Sequence, residues 1–299
     1  MTKLNLVVSL ITDNNDYQQE QAAAAEEAAR RLNTSLQIVY AGNDAVNQTQ
    51  QLLKVIQNPA QRPDAILVEP VGTGMPQVAA AATAANISWG VLNREVDYVA
   101  KLRMNSRVTV FAITTVQEEV GRIQGRQLAA LLPNGGGVLY IEGPSGGEVA
   151  RLRTSGMNST KPGNVNLKVI KGDWTEGSGY RSVKSWLSLS TSVQLHIRAM
   201  ACQNDAMGVG ARRAFEEVAE VQARKNWLSL PFIGCDGVPK TGLEWVRRGL
   251  LAATVVIPPT MGLAFEIMTR AIRSGVQPPA RILSQPSSFP ALKDIAART

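Results

Sequence analysis

An α/β fold of two similar lobes, each a parallel sheet layered between helices in the Rossmann-like manner, is predicted by three observations. Short apolar runs bounded by turns alternate with helix-length segments along most of the chain. That alternation starts again after about residue 114. The chain has 299 residues, and cores of that size tend to split into domains of about 100 to 150 residues.

Residues 4–11 (LNLVVSLI) predict the first strand. Residues 18–33 predict a helix rich in Ala, with its acids placed before Arg30 and Arg31 in the order that suits i,i+4 pairing and the helix dipole. Strand and helix then repeat: LQIVYAG at 36–42, a helix near 45–58, DAILVEP at 64–70, a helix at 75–86 and ISWGVLN at 87–93. Beyond 114, the segment 117–132 (QEEVGRIQGRQLAALL) keeps a helical period despite two glycines, and NGGG at 134–137 turns it into the strand VLYIEG at 138–143. VNLKVIKG, VQLHIRAMAC and LPFIGCDG supply three further strands with helices between them. The last βα unit, LLAATVVIPP followed by MGLAFEIMTRAIRSG, reads as a return toward the first lobe. The lobes are therefore expected to be discontinuous, 1–114 with 258–284 and 115–257 with 285–299.

Charge and composition exclude several classes. The 31 basic and 24 acidic residues leave a net +7, yet the basic residues stand singly or in isolated pairs such as Arg212 and Arg213, without the aromatic interleaving of a nucleic-acid stripe. Drawn as above, the first lobe holds 12 basic and 11 acidic residues and the second 19 and 13. No nucleic-acid partner is expected, and the excess is assigned to the second lobe, where it can shape docking to a partner. The first ten residues, MTKLNLVVSL, read as a strand rather than an export leader. The longest Ala-rich stretch, 78–87, is too short and too polar at its ends to cross a bilayer. No membrane insertion is expected.

Polar residues gather where the strands end. Asp13, Asn14, Asn15 and Tyr17 follow the first strand, and Asn93 and Arg94 close ISWGVLN. In the second lobe Arg151 and Arg153 follow GPSGGEVA, Asp173 and Trp174 follow VNLKVIKG, Asn204 and Asp205 follow ACQ, and Asp236 and Gly237 follow FIGC. In parallel sheets ligands bind outside the carboxyl ends of the strands. Carboxylates and amides there take hydroxyl protons and arginines donate to oxygens, a chemistry suited to a small polyhydroxy ligand.

With these residues in place, the chain resembles the type I periplasmic binding proteins, especially the ribose-like sugar-binding group, and the effector domains of LacI-type repressors. The pieces that carry the resemblance are LVVSLITDNNDY, DAILVEP, NISWGVLNRE, VARLRTSGM, QNDAMGVGARRAF, FIGCDGVP and GLLAATVV, in the family's order and spacing over nearly the whole chain. The resemblance implies two lobes joined by three crossings of a hinge that closes over a sugar, and an ABC permease as the partner of a transport protein. It also implies an exported, periplasmic location for a transport protein and a cytoplasmic one for a regulator fragment. Carried over residue by residue, it implies ligand contacts from Asn14 or Asn15, Tyr17, Asn93, Arg94, Arg153 with Arg151, Trp174, Asn204 and Asp236, with Asp205 ordering its loop. Asn93 stands where the family usually has an acid, and Ile257 where ribose binders place Gln. That departure implies a differently hydroxylated or less polar ligand than plain ribose.

Two alternatives to a transport receptor remain at this stage. One is the effector domain of a regulator, although no helix-turn-helix precedes the first strand within this sequence. The other is a weak enzyme using Asp13, Asp173 or Asp236 as a base. It lacks a nucleophile elbow, a metal cluster and a cofactor loop, so no catalytic residue, metal or cofactor is expected. His196, the one histidine, reads as a strand residue in VQLHIRAM. Cys202 and Cys235 lie on strands that can be neighbours, but 33 residues apart and without CxxC spacing they make no redox or zinc motif.

Overall fold

The computed structural model of the chain describes residues 3–72, 75–189 and 196–296. Strand β1 (Asn5–Leu10) is followed by α1 (Asp16–Arg31), β2 (Ser35–Tyr40), α2 (Ala45–Gln57), β3 (Ala65–Val68), α3 (Pro76–Ala84) and β4 (Ser88–Leu92). Helix α4 (Tyr98–Asn105) leads to β5 (Val110–Thr115). Then come α5 (Gln117–Leu131), β6 (Gly136–Glu142), α6 (Glu148–Thr160), β7 (Val165–Lys171), α7 (Glu176–Leu187), β8 (Ile197–Cys202) and α8 (Asp205–Glu216). The run continues through α9 (Val221–Leu228), β9 (Phe232–Asp236), α10 (Gly242–Arg247), β10 (Ala253–Val256) and α11 (Met261–Ser274). It ends with β11 (Arg281–Ser284), β12 (Ser287–Phe289) and α12 (Leu292–Ala296).

The chain divides into two compact units, Met1–Thr115 with Pro259–Ser284 and Val116–Pro258 with Gln285–Thr299. The backbone passes between them after residues 115, 258 and 284. The first unit has one sheet in the order β11-β5-β4-β3-β1-β2, parallel throughout. The second has the order β12-β10-β9-β8-β6-β7, parallel except for β12, which runs antiparallel to β10.

Both faces of each sheet are covered, so the inner strands are apolar without alternation; β3, β4 and β5 are buried at every position. Strand pleating still sorts the side chains. Leu6, Val8 and Leu10 pack with alanines of α1 and with Phe265 and Met268 of α11, while Val7 packs with Leu52 of α2 and Val78 of α3. Leu139 and Ile141 of β6 likewise face one core of the second unit, and Val138 and Tyr140 face the other.

Several expectations are corrected here. The segment between Asn93 and residue 114, left without elements by the sequence pattern, holds α4 and β5. Strands β11 and β12 have four and three residues, too few to show a period, and exist because they pair with β5 and β10. Helix α1 starts at Asp16, so Tyr17 lies on its first turn and not in the loop. His196 lies outside β8 and is exposed, and residues 193–195 of its expected strand fall outside the described residues. Strands β8 and β9 are neighbours, but Cys202 shares its core with Met200 and Phe232 while Ala201 and Ile233 face the other core. Continued along β9, that alternation turns Cys235 to the face opposite Cys202, and both thiols are free and buried. Burial pushes the pKa of each thiol up, which keeps it protonated and unreactive.

Candidate functional site

In the first unit β1 lies between β2 and β3, so successive crossovers leave it in opposite directions. A crevice opens outside the strand ends at such a switch point. Three loops deliver polar groups there. After β1, Asn15 caps α1 by accepting from the Gln18 amide N–H at 3.2 Å, and Gln18 in turn accepts from the Ile11 N–H at 2.9 Å. These two amides fix the loop that leads into α1 and so place Tyr17 on its first turn. The Tyr17 hydroxyl, buried, accepts from Gln21 Nε2 at 3.4 Å and from Asn93 Nδ2 at 3.3 Å. Gln21 Oε1 also accepts from the Met261 N–H at 2.9 Å, so the start of α11 is tied to this cluster.

Asn93 follows β4 with a left-handed φ of 57°, a region that Asn tolerates better than most residues. Its side chain is buried, and Oδ1 has no hydrogen-bond partner among the described residues. Arg94 donates through Nε to the Pro70 carbonyl at 3.2 Å. Beside it stands Glu69, directly after β3, 5% exposed. Burial raises the Glu69 pKa above the usual carboxylate range, outweighing the lowering by the Gln18 and Asn93 amides, the Arg94 charge and Gln21. Its Oε2 is buried and finds no hydrogen-bond partner among the described residues. An unpaired buried acceptor costs about 1 to 3 kcal/mol, and this cluster holds two.

The second unit has its own switch point at β6, between β7 and β8. Arg153, on α6, is the centre of the group there. Nε donates to Gln117 Oε1 at 2.9 Å and Nη1 donates to the Gln203 carbonyl. Nη1 stands 3.9 Å from Asp236 Oδ1, with the two side chains 7% and 9% exposed. The guanidinium lies 5.5 Å from the centre of the Trp174 ring, within cation–π range. Trp174 and Asp236 hold φ values of 72° and 107°. Backbone strain of that kind in non-glycine residues costs about 1 to 3 kcal/mol each and clusters at functional sites.

Asn204 caps α8 by accepting from the Met207 N–H at 2.9 Å and donates to the Trp174 carbonyl at 2.7 Å. It thereby fixes the indole's loop. Asp205, buried, accepts from the Gly237 N–H at 2.8 Å and so orders the turn after Asp236 rather than its own loop alone. Gln203 accepts from the Gly143 N–H at 2.9 Å and donates to the Tyr140 hydroxyl at 2.6 Å, which anchors the carbonyl that holds Arg153.

Not every predicted residue joins these groups. Asn14 is exposed and its amide oxygen is bonded by the Thr12 hydroxyl at 2.9 Å. Arg151 is exposed two residues before buried Arg153, and side chains at i and i+2 of a helix face different ways. Asp13 is exposed. Asp173, also exposed, accepts from the Thr175 N–H at 3.2 Å in a local turn. Burial raises the Asp173 pKa, but the hydrogen bonds from Thr175 and Ser178 and the Arg181 charge outweigh it, so the carboxyl stays low and ionised. Ile257 is buried, its N–H donating to the Asp236 carbonyl at 3.0 Å.

Sequence reasoning missed Glu69 and the glutamines that hold Arg153. The one signal for Glu69 was an acid closing the apolar run of DAILVEP. Among the described residues no group of three or more His, Cys, Asp or Glu side chains is placed to hold a metal ion, and no helix is long and apolar enough to cross a membrane.

The fold of two units built on largely parallel sheets recurs in proteins of known structure. A Mycobacterium smegmatis protein crystallised with β-D-fucofuranose superposes with a TM-score of 0.81 at 20% identity, over 98% of this chain and 93% of that one. The binding-protein component of an arabinose ABC transporter from Shewanella gives 0.79 at 22% identity, over 98% and 94%. At these identities the likeness is one of fold. In sequence, the xylitol-binding protein of Mycolicibacterium smegmatis is 27% identical over 218 residues, 70% of this chain and 55% of that protein. The chain spans about half the length of the curated relatives it matches. A further match, to the periplasmic binding protein domain, runs from residue 6 to residue 274 and so takes in both units and every group placed above. Fold, switch-point chemistry and this match agree: the chain belongs to the periplasmic binding protein domain family.

Proposed function

We propose that the chain is a solute-binding receptor for a small uncharged sugar or polyol, without catalytic activity, serving an ABC-type importer from an exported location. The observation that carries this reading is the pair of buried acceptors, Glu69 Oε2 and Asn93 Oδ1, that await hydrogen-bond donors at the strand ends of the first unit. Hydroxyl groups are the donors that satisfy them without adding charge. Tyr17 and Arg94 complete that half of the site. In the second unit Arg153 and Asp236 offer a donor and an acceptor, and the Trp174 indole offers a face to ring or chain carbons. Asn15 and Asn204 position the loops, while Asn14 and Arg151 belong to the rim.

A neutral ligand follows from the charges, since Arg153 faces Asp236 and Arg94 faces Glu69. The relatives are named for xylitol and for furanose sugars, which supports the same class. A catalytic reading has little support: Asp173 is exposed and held in its low, ionised state, and Asp236 stands 3.9 Å from the Arg153 guanidinium.

In this reading one ligand takes hydrogen bonds from both units and favours a closed arrangement, which the permease reads. Moving such an equilibrium from 1:99 to 99:1 takes about 5.5 kcal/mol of preferential binding. Calorimetric titration with xylitol, L-arabinose, D-fucose and myo-inositol, with an amino acid and an aromatic acid as controls, tests the ligand class. At least one polyol or sugar is expected to bind in one-to-one stoichiometry and none to be turned over. Binding of the acid controls alone overturns the assignment, and small-angle scattering that is unchanged by a bound sugar overturns the closure.

A further inference from the structure

We infer that the second unit carries a separate site for an amphipathic monocarboxylate, at the opposite end of its sheet from Arg153 and Asp236. A half-enclosed cavity of about 980 Å³ lies there, against the starts of β6, β8 and β9 and the turn before β10. That volume falls in the range of small-molecule sites. Its walls combine aliphatic side chains, Leu131, Leu230, Leu251 and Ile295 among them, with polar and backbone groups in about equal measure, and among the described residues its charged lining side chains are Arg198 and Arg212. No acid lines it. The charge complement of such a wall is an anion with an apolar body.

Arg212 is the better-built anchor. Its guanidinium is held 5.5 Å from the Phe232 ring centre, and Nη1 donates to the Leu228 carbonyl at 3.3 Å. Nε is buried and has no hydrogen-bond partner among the described residues. With Nη1 engaged and Nε closed off from the cavity, Nη2 is the donor left to meet a carboxylate, as a single charge-assisted bond. Arg198 reaches the same wall because Gly136 has no side chain: a Cβ there would come within 2.7 Å of Arg198 Cγ. Gly136 also holds a φ of 130°, which other residues rarely adopt. The loop is thus shaped to let the Arg198 stem lie against it.

This inference stands apart from the sugar site, so its failure leaves that reading intact. Calorimetry of the full chain with octanoate, and with octan-1-ol as the uncharged control, tests it. Octanoate is expected to bind one-to-one with a Kd below about 1 mM, at least tenfold tighter than octan-1-ol, and to shift methyl NMR signals of Leu230 and Ile295. Arg212→Gln is expected to weaken octanoate at least tenfold while leaving octan-1-ol unchanged. Because Arg212 is half buried, Ser229→Trp, an exposed change on the rim, serves as a second variant that blocks entry without touching the core. Absence of saturable octanoate binding, equal affinity for octan-1-ol, or full binding in either folded variant overturns the site.

Discussion

Arg153 is constrained from several directions, by Gln117, the Gln203 carbonyl, Asp236 and the Trp174 ring. Removing its charge takes from buried Asp236 the guanidinium that stands 3.9 Å away. Breaking a buried pair in this way costs about 3 to 5 kcal/mol, so Arg153→Met is expected to lower the urea midpoint markedly and to abolish sugar binding in calorimetry. Arg153→Lys keeps the charge but not the fork, and is expected to recover stability more than affinity. Glu69 carries a pH signature. Its folded pKa is raised by burial, so its contribution to stability is present below the unfolded value of about 4.3 and is lost as pH rises through the folded value. Urea melts from acid to neutral pH are expected to show wild-type stability declining relative to Glu69→Gln; parallel profiles would place the raised pKa elsewhere. At this scale Asn93 and Asp236 were legible because polar side chains at strand ends stand out against apolar runs, whereas Arg153, inside α6, was pointed to by the family resemblance. Glu69 was not, because an acid before a proline reads equally as an exposed turn, and only the neighbouring loops bury it.

Between elements, close helix contacts explain glycines that the helical pattern merely tolerated. A Cβ on Gly121 of α5 would overlap the Arg153 carbonyl of α6, and one on Gly156 of α6 would overlap the Glu118 carbonyl of α5. The two helices pack backbone to backbone, and that contact seats Arg153. In an exposed helix Gly→Ala gains roughly 1 kcal/mol. Here Gly121→Ala is expected to destabilise instead, by about 2 kcal/mol as overpacking does, and to weaken ligand binding; thermal melts read the first effect and calorimetry the second. A hydrogen-bonded chain from Met261 through Gln21 and Tyr17 to Asn93 does similar work in the first unit. Gln21→Leu, which keeps volume and loses both bonds, is expected to weaken ligand binding about tenfold through Tyr17 and Asn93 while the strand content in circular dichroism stays unchanged.

For the molecule as a whole, the net +7 resolves into 12 basic and 11 acidic residues in the first unit against 19 and 13 in the second. A bound ligand stabilises the folded chain by mass action, so a sugar at a hundred times its Kd is expected to add about 2.7 kcal/mol in denaturant melts. A cognate sugar that adds nothing would mean that the unfolded chain binds it too. Composition and periodicity by themselves determined most of the order of strands and helices, though not α4, β5, β11 or β12, together with the repeat of that order in two lobes and the polar character of the strand ends. These follow from patterns of two and 3.6 residues that neighbours along the chain already contain. Tertiary structure alone decided that Cys202 and Cys235 face opposite cores, that Arg151 stays outside while Arg153 is enclosed, and that Glu69 and Asn93 hold unpaired acceptors. Register, burial and hydrogen-bond satisfaction are set by partners far along the chain, as Gln21 is by Met261 at a separation of 240 residues, and no local pattern encodes them.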